Sequence, residues 1–381
     1  MKNNLLALCV FVSISVSVSA QINNPIATAV PSLSIAPDAR AGGMGDIGAA
    51  TSPDINSQYW NPAKYVFMES DAGVSLSYTP WLRKLVTDIN LAYLAGYWKF
   101  DQRMALSASL RYFSLGDITL MDQLGYPQGT AHPNEFAIDV AYSLLFSENL
   151  SGSVALRFIN SDLGNGSVGS GGTEMYPGRA FAADVSSYYR TPITLQNGEG
   201  KLAFGLNISN IGSKISYDQN ETSNFIPTNL RIGSSFEYPL DSYNKISINA
   251  DLNKLLVPTP KYLGTATAAD IAAYNNLSPI AGIFQSFTDA PGGFKEEMQE
   301  IMWSVGAEYA YNNQFFVRGG YFNENQYKGN RKYFTAGAGF KLNIFQLDAG
   351  YVISTSQSNP LDQTLRFSLS FDLFGLKNLM K

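Results

Sequence analysis

Leu365-Arg366-Phe367-Ser368-Leu369-Ser370-Phe371-Asp372-Leu373 alternates without a break. Its odd-numbered residues are large and apolar, and its even-numbered ones are small or charged. A period of two belongs to a strand with two unlike faces. Phe136, Ile138, Val140, Tyr142 and Leu144 alternate in the same way with Ala137, Asp139, Ala141 and Ser143. So do Leu202, Phe204, Leu206 and Ile208 with Ala203, Gly205, Asn207 and Ser209. Similar segments lie near 74–81, 88–99, 103–114, 150–161, 180–191, 229–240, 244–256, 302–312, 314–323, 332–343 and 344–355. The total is about fourteen, and each is close to the 9–11 residues that a tilted transmembrane strand needs.

Alternation also suits a soluble sandwich, which turns one face to a core. Three features favour a membrane barrel. The segments are long against a soluble average of about 5–6 residues. Arg111, Asp139, Arg157, Asp184, Arg231, Glu237, Asp251, Glu308, Arg318, Asp348, Arg366 and Asp372 share the face of the small residues, and the opposite face is apolar. A barrel in lipid needs that division between an apolar band and a polar lumen. Aromatics such as Tyr112, Tyr189, Tyr238, Trp303, Tyr321 and Phe374 gather at strand ends, where interfacial belts lie. Short links alternate with long ones, as periplasmic turns alternate with outer loops. The stretch 192–199 is an exception, being long but on the short-turn side.

Composition agrees. Of 381 residues, 15% are charged and 13% aromatic, and the net charge is −5. That charge gives no basic footprint for nucleic acid. A single Cys and a single His exclude a disulfide framework and a zinc cluster. Lys2, the apolar run 5–18 and Val18-Ser19-Ala20 read as a signal peptide, with Gln21 as the mature N-terminus. The lone Cys9 falls inside it.

The reading divides the chain into a signal peptide (1–20), an N-terminal plug or hatch segment (21–73), an all-β transmembrane antiparallel barrel (74–374) and a periplasmic tail (375–381). A barrel of this strand number is too wide for its own side chains to fill, hence the plug. AGGMGDIG (41–48) is no phosphate loop, since no strand–loop–helix unit surrounds it and no P-loop Lys follows. His132 stands alone in an outer loop, with no nucleophile-elbow motif to accompany it, and no catalytic, cofactor or metal site is expected. The largest outer loop, 257–301, is not low in complexity. A helix over 294–303 would put Phe294, Met298, Ile301 and Met302 on one face. With Phe284 and Phe287, the residues Phe294, Met298 and Met302 are the candidate partner contacts. The bland alternative is a cap folded over the barrel mouth.

The block PSLSIAPDARAGGMGDIGAATSPDINSQYWNPAKYVF (31–67) resembles the N-terminal region of the PorV family, outer-membrane barrels of the type IX secretion system in Bacteroidetes. Asn61-Pro62-Ala63, Ser209-Asn210-Ile211-Gly212 and residues 226–233 resemble the wider FadL-type barrels. The tail beyond Phe374 departs from the many barrels that end on a terminal aromatic. The resemblance implies a fourteen-stranded FadL-like barrel in the outer membrane of a Gram-negative Bacteroidetes-type cell. It implies a shuttle or adaptor without enzymatic activity or cofactor. Its partners would be a SprA-like translocon, a PorU-like sortase and the C-terminal domains of secreted cargo, at a surface bearing lipopolysaccharide. A FadL-like transporter of hydrophobic small molecules is the alternative.

Overall fold

A computed structural model describes residues 23–373 and Gly375, except 84–85, 122–123, 165–175, 219–221, 263–264 and 356–360. The expected signal peptide 1–20, Phe374 and residues 376–381 lie outside the described residues. The strands are β1 (Ala72–Pro80), β2 (Ile89–Lys99), β3 (Met104–Leu115), β4 (Ile118–Met121), β5 (Pro127–Ala131), β6 (Asn134–Ser147), β7 (Leu150–Asp162), β8 (Gly178–Leu195), β9 (Gly198–Gly212), β10 (Asn229–Pro239), β11 (Asn244–Leu255), β12 (Met302–Tyr311), β13 (Phe315–Asn323), β14 (Lys332–Leu342), β15 (Phe345–Ser354) and β16 (Leu365–Asp372). All except β4 and β5 form one closed antiparallel barrel of fourteen strands. The seam pairs β1 with β16, from Gly73 opposite Asp372 to Tyr78 opposite Phe367. β4 and β5 form a separate hairpin in the outer loop after β3.

Strand length matches a bilayer. The 11 residues of β2, at ~3.3 Å each and a tilt of ~40°, span about 28 Å, against an apolar band of about 25 Å. The outward face is bare hydrocarbon: Leu156 and Phe181 are each 69% exposed. Asp139, Arg157, Asp184, Asp251, Arg318, Asp348 and Arg366, on the other parity, are buried. The exceptional stretch 192–199 belongs to a prolonged β8–β9 hairpin, paired out to Leu195 opposite Gly198. Beyond the lipid the hairpin continues with turn residues rather than strict alternation, which is why its strand ends are not visible as a pattern.

Residues 30–67 occupy the lumen. Short elements make this segment compact: α1 (Ala39–Gly42), α2 (Ser57–Trp60) and a 3₁₀ stretch, Pro62–Phe67. Asp38 caps α1 by accepting the Ala41 N–H at 3.0 Å, and it also accepts from the Trp60 indole at 2.6 Å. Asn61 caps the 3₁₀ stretch through the Ala63 N–H at 3.1 Å, and Pro62 takes the first position, where no N–H is needed.

The lumen segment meets the wall backbone to backbone. Gly306 on β12, Gly320 on β13, Gly337 on β14 and Gly350 on β15 form a side-chain-free seat beneath residues 39–45. A Cβ on Gly337 would come 2.9 Å from the Gly43 Cα, and one on Gly350 2.9 Å from the Ala39 carbonyl oxygen. A Cβ on Gly320 would overlap the Met44 carbonyl carbon. Overpacking of this kind costs about 1–3 kcal/mol. Gly320→Val should therefore leave a heat-modifiable barrel but unseat residues 39–50. Trypsin should then cut after Arg40, which is buried in the wild type. Continued resistance at Arg40, followed by mass spectrometry, would count against the seat.

Candidate functional site

Three ionic clusters tie the lumen segment to the wall. Arg40 meets Asp54 at 2.7 Å and Glu308 at 3.0 Å. Glu308 in turn meets Arg318 at 2.6 Å, and Arg318 meets Asp348 at 2.6 Å. Arg157 bridges Asp139 at 3.0 Å and Asp184 at 2.9 Å, while Gln58 donates to Asp139 at 2.6 Å. Asp46 pairs with Arg366 and accepts from the Tyr333 hydroxyl at 2.6 Å. Asp251 accepts the backbone N–H groups of Gly48 at 2.9 Å and Ala49 at 3.0 Å. A buried charge left single is costly, and these charges are held by opposite charges or by N–H groups. The result is a lumen occupied by residues 30–67. A polar vestibule of ≈ 780 Å³ opens on the short-turn side. Above the segment lies a cavity of ≈ 80 Å³, small against the 300–1,000 Å³ typical of ligand pockets.

The outer mouth is covered by the chain between β11 and β12. It carries α3 (Ala268–Asn276), α4 (Pro279–Gln285) and α5 (Phe294–Gln299). Thr267 and Asp270 form a capping box on α3, and Ser278 caps α4. α5 is amphipathic in an unusual sense: its acids point inward. Lys254, at the end of β11, meets Glu297 at 3.0 Å and Glu300 at 2.5 Å. Lys328, between β13 and β14, meets Glu296 at 2.6 Å and Glu300 at 3.0 Å. Glu296 also accepts from the Tyr262 hydroxyl at 2.6 Å and the Gly292 N–H at 2.7 Å. With the acids consumed, the helix turns its apolar side to solvent.

Phe294 is 78% and Phe284 73% exposed, and Phe287 and Met298 are also exposed. Met302 departs from its expected helical face. α5 stops at Gln299, Met302 is the first residue of β12, and its side chain is buried with Phe322, Tyr333 and Val352. His132 lies in an outer loop, 2.7 Å from Asp117, with both side chains largely exposed. Among the described residues no group of three or more His, Cys, Asp and Glu is placed to hold a metal ion. The inward set Glu296, Glu297 and Glu300 lies, by helical spacing, off the face of Phe294 and Met298. Nothing local signals that two lysines from distant parts of the chain cover it.

Residues 18–262 match the family model described as type IX secretion system protein PorV. No match was found among curated proteins. Among solved structures, the Pseudomonas putida toluene transporter TodX superposes with a TM-score of 0.51 at 11% identity, covering 89% of this chain and 98% of that one. A TodX deltaS2S3 mutant, a monoaromatic hydrocarbon channel, gives 0.50 at 12% identity over 88% and 98%. A Pseudomonas aeruginosa FadL homologue gives 0.41 at 10% identity over 92% and 99%. Identities this low speak to fold alone.

Two cap carboxylates are displaced in opposite directions. Burial would raise Glu296, but Lys328, the Tyr262 hydroxyl, the Gly292 N–H and Asn24 outweigh it and hold it at about 2. Burial, reinforced by Glu297 and Glu300, pushes Asp289 up to about 6 against the pull of the Thr259 N–H. Glu296 thus lends stability above its ordinary value of 4.5, lost as pH falls toward about 2. Asp289 acts in reverse: the cap is favoured below its ordinary 3.8, and this is lost as pH rises through about 6. Asp289→Asn should therefore slow amide exchange in α5 at a pH of about 7.5 and leave it unchanged near pH of about 4. Faster exchange at the higher pH would contradict this placement.

Proposed function

We propose that this chain, which belongs to the PorV family of type IX secretion outer-membrane proteins, works as an adaptor that binds protein partners on its outer cap and not as a conduit. The observation that carries the reading is the inverted helix α5, which buries Glu296, Glu297 and Glu300 and exposes Phe294 and Met298. A soluble helix does the opposite. Contiguous exposed apolar surface marks a site of interaction. Between Leu277 and Phe294 the sequence holds a single charged residue, Asp289, so the surface suits an apolar, weakly charged partner.

The cap then receives the C-terminal domain of secreted cargo at a SprA-like translocon and presents it to a PorU-like sortase, on a Bacteroidetes-type surface bearing lipopolysaccharide. The rival reading, a FadL-like transporter of hydrophobic small molecules, draws support from the TodX-like fold. The small cavity above the lumen segment weighs against it.

Deleting the whole cap would leave Lys254 and Lys328 without their acids, so point changes are the cleaner test. Phe284→Asp with Phe294→Asp should preserve a heat-modifiable barrel. Interface anchors of this type are worth 2 kcal/mol or more each, about 4 kcal/mol for the pair, so affinity for translocon, sortase or cargo partners should fall by roughly several hundredfold. The measurement is affinity purification from the outer membrane with quantitative mass spectrometry. Undiminished partner recovery would sink the cap as the docking face. Loss of hydrophobic-solute uptake with normal secretion would favour the transporter.

A further inference from the structure

The described chain begins at the outer mouth of the barrel, although β1 starts at the opposite rim. Asn24 is buried there and joins three outer segments. Its backbone N–H donates to the Tyr327 carbonyl at 3.0 Å. Its side-chain amide donates to the Pro260 carbonyl at 3.1 Å and to Glu296 of α5 at 3.2 Å. From this clamp the chain descends through the lumen. The Ala29 N–H donates to the Phe225 carbonyl at 2.9 Å. Val30 and Leu33 pack with Ile159, Ala180, Ile215 and Ile226. Arg111 holds the Ser32 and Ile35 carbonyls at 2.5 and 3.0 Å, and α1 follows with its Asp38 cap.

Val30 is the odd residue on this path. Its φ of 50° and ψ of 56° place a β-branched side chain in the left-handed region. Such residues are held there by their surroundings, at a cost of about 1–3 kcal/mol. The surroundings are a clamp above, a seated segment below and the apolar wall cluster around Val30 itself. Letting go at either end allows Val30 to relax to extended backbone. A held and a relaxed backbone at Val30 would give residues 24–35 the two discrete arrangements that coupling between distant sites requires.

We propose that residues 24–35 are a tether that couples the outer cap to the segment sealing the lumen. A partner that engages Phe294 and Met298 pulls on Asn24 through Glu296, and loosening of the lumen segment in turn frees α5. The link is a hydrogen bond from Glu296 to Asn24 and covalent chain from there on, and it runs inside the barrel, so it needs no movement of the wall. The inference rests on the cap as docking face for its use, but its test needs no partner.

The experiment works from both ends. Asn24→Ala is read at the far end, as amide exchange at Gly48 and Ala49 in the full-length protein in outer-membrane vesicles. Asp38→Ala, which removes the α1 cap and the Trp60 contact, is read at the cap as tryptic cleavage after exposed Lys295. Coupling of 1–3 kcal/mol makes each far-end rate rise about fivefold or more. A change confined to the mutated end, or no change at either far end, overturns the tether. If Asp38→Ala fails to give a heat-modifiable barrel, Asn24→Ala decides alone, because its side chain lies outside the wall and the lumen segment. Either result leaves the partner-recovery test of the cap untouched.

Discussion

Inside lipid a backbone N–H or C=O without a partner has no water to turn to, and each such group costs several kcal/mol. The seam between β1 and β16 answers that constraint, because it leaves no open edge in the sheet. Closure imposes the alternation along every strand, since one face must meet hydrocarbon and the other cannot. It also sets the width. Fourteen strands enclose more space than their inward side chains fill, so the lumen either stays open to water or takes in more chain. Here it takes in residues 30–67, buried almost throughout.

The seal uses complementary chemistry on the two surfaces. The wall supplies Asp139, Asp251, Glu308, Arg318, Asp348 and Arg366, and the lumen segment supplies Arg40, Asp46, Asp54, Gln58 and bare N–H groups. Buried ion pairs add little net stability over apolar packing, but removing one partner is severe. Their value here is registry. A segment rich in Gly and Ala has few side chains to key it in place, and directional bonds fix where it sits. The glycine row on β12–β15 lets it sit close enough for those bonds to form.

Much of the fold is legible in the sequence, because the bilayer writes it with a period of two. The segment 365–373 is observed as Leu365–Asp372, and the charged face of each strand is the lumen face. Legibility ends where the lipid ends. The β8–β9 hairpin runs on past the rim through Pro192 and Gly198, where no face is required to be apolar. The β4–β5 hairpin escapes for the same reason. Met302 looks helical because the spacing from Phe294 and Met298 continues on paper, while the chain turns after Gln299 and starts a strand. Partnerships across the barrel, such as Lys254 and Lys328 over α5 or Asn24 over Glu296, join residues far apart in the chain, and no local pattern encodes them.

The proposed role rests on three parts: the wall anchors, residues 30–67 fill the lumen, and the cap presents an apolar face outward. The claim at its centre is that nothing flows through the resting molecule. Purified full-length protein in a planar bilayer tests this directly. The account predicts insertion without steady ion conductance, and conductance only after Gly320→Val unseats the lumen segment. A stable open conductance in the wild-type protein would contradict it.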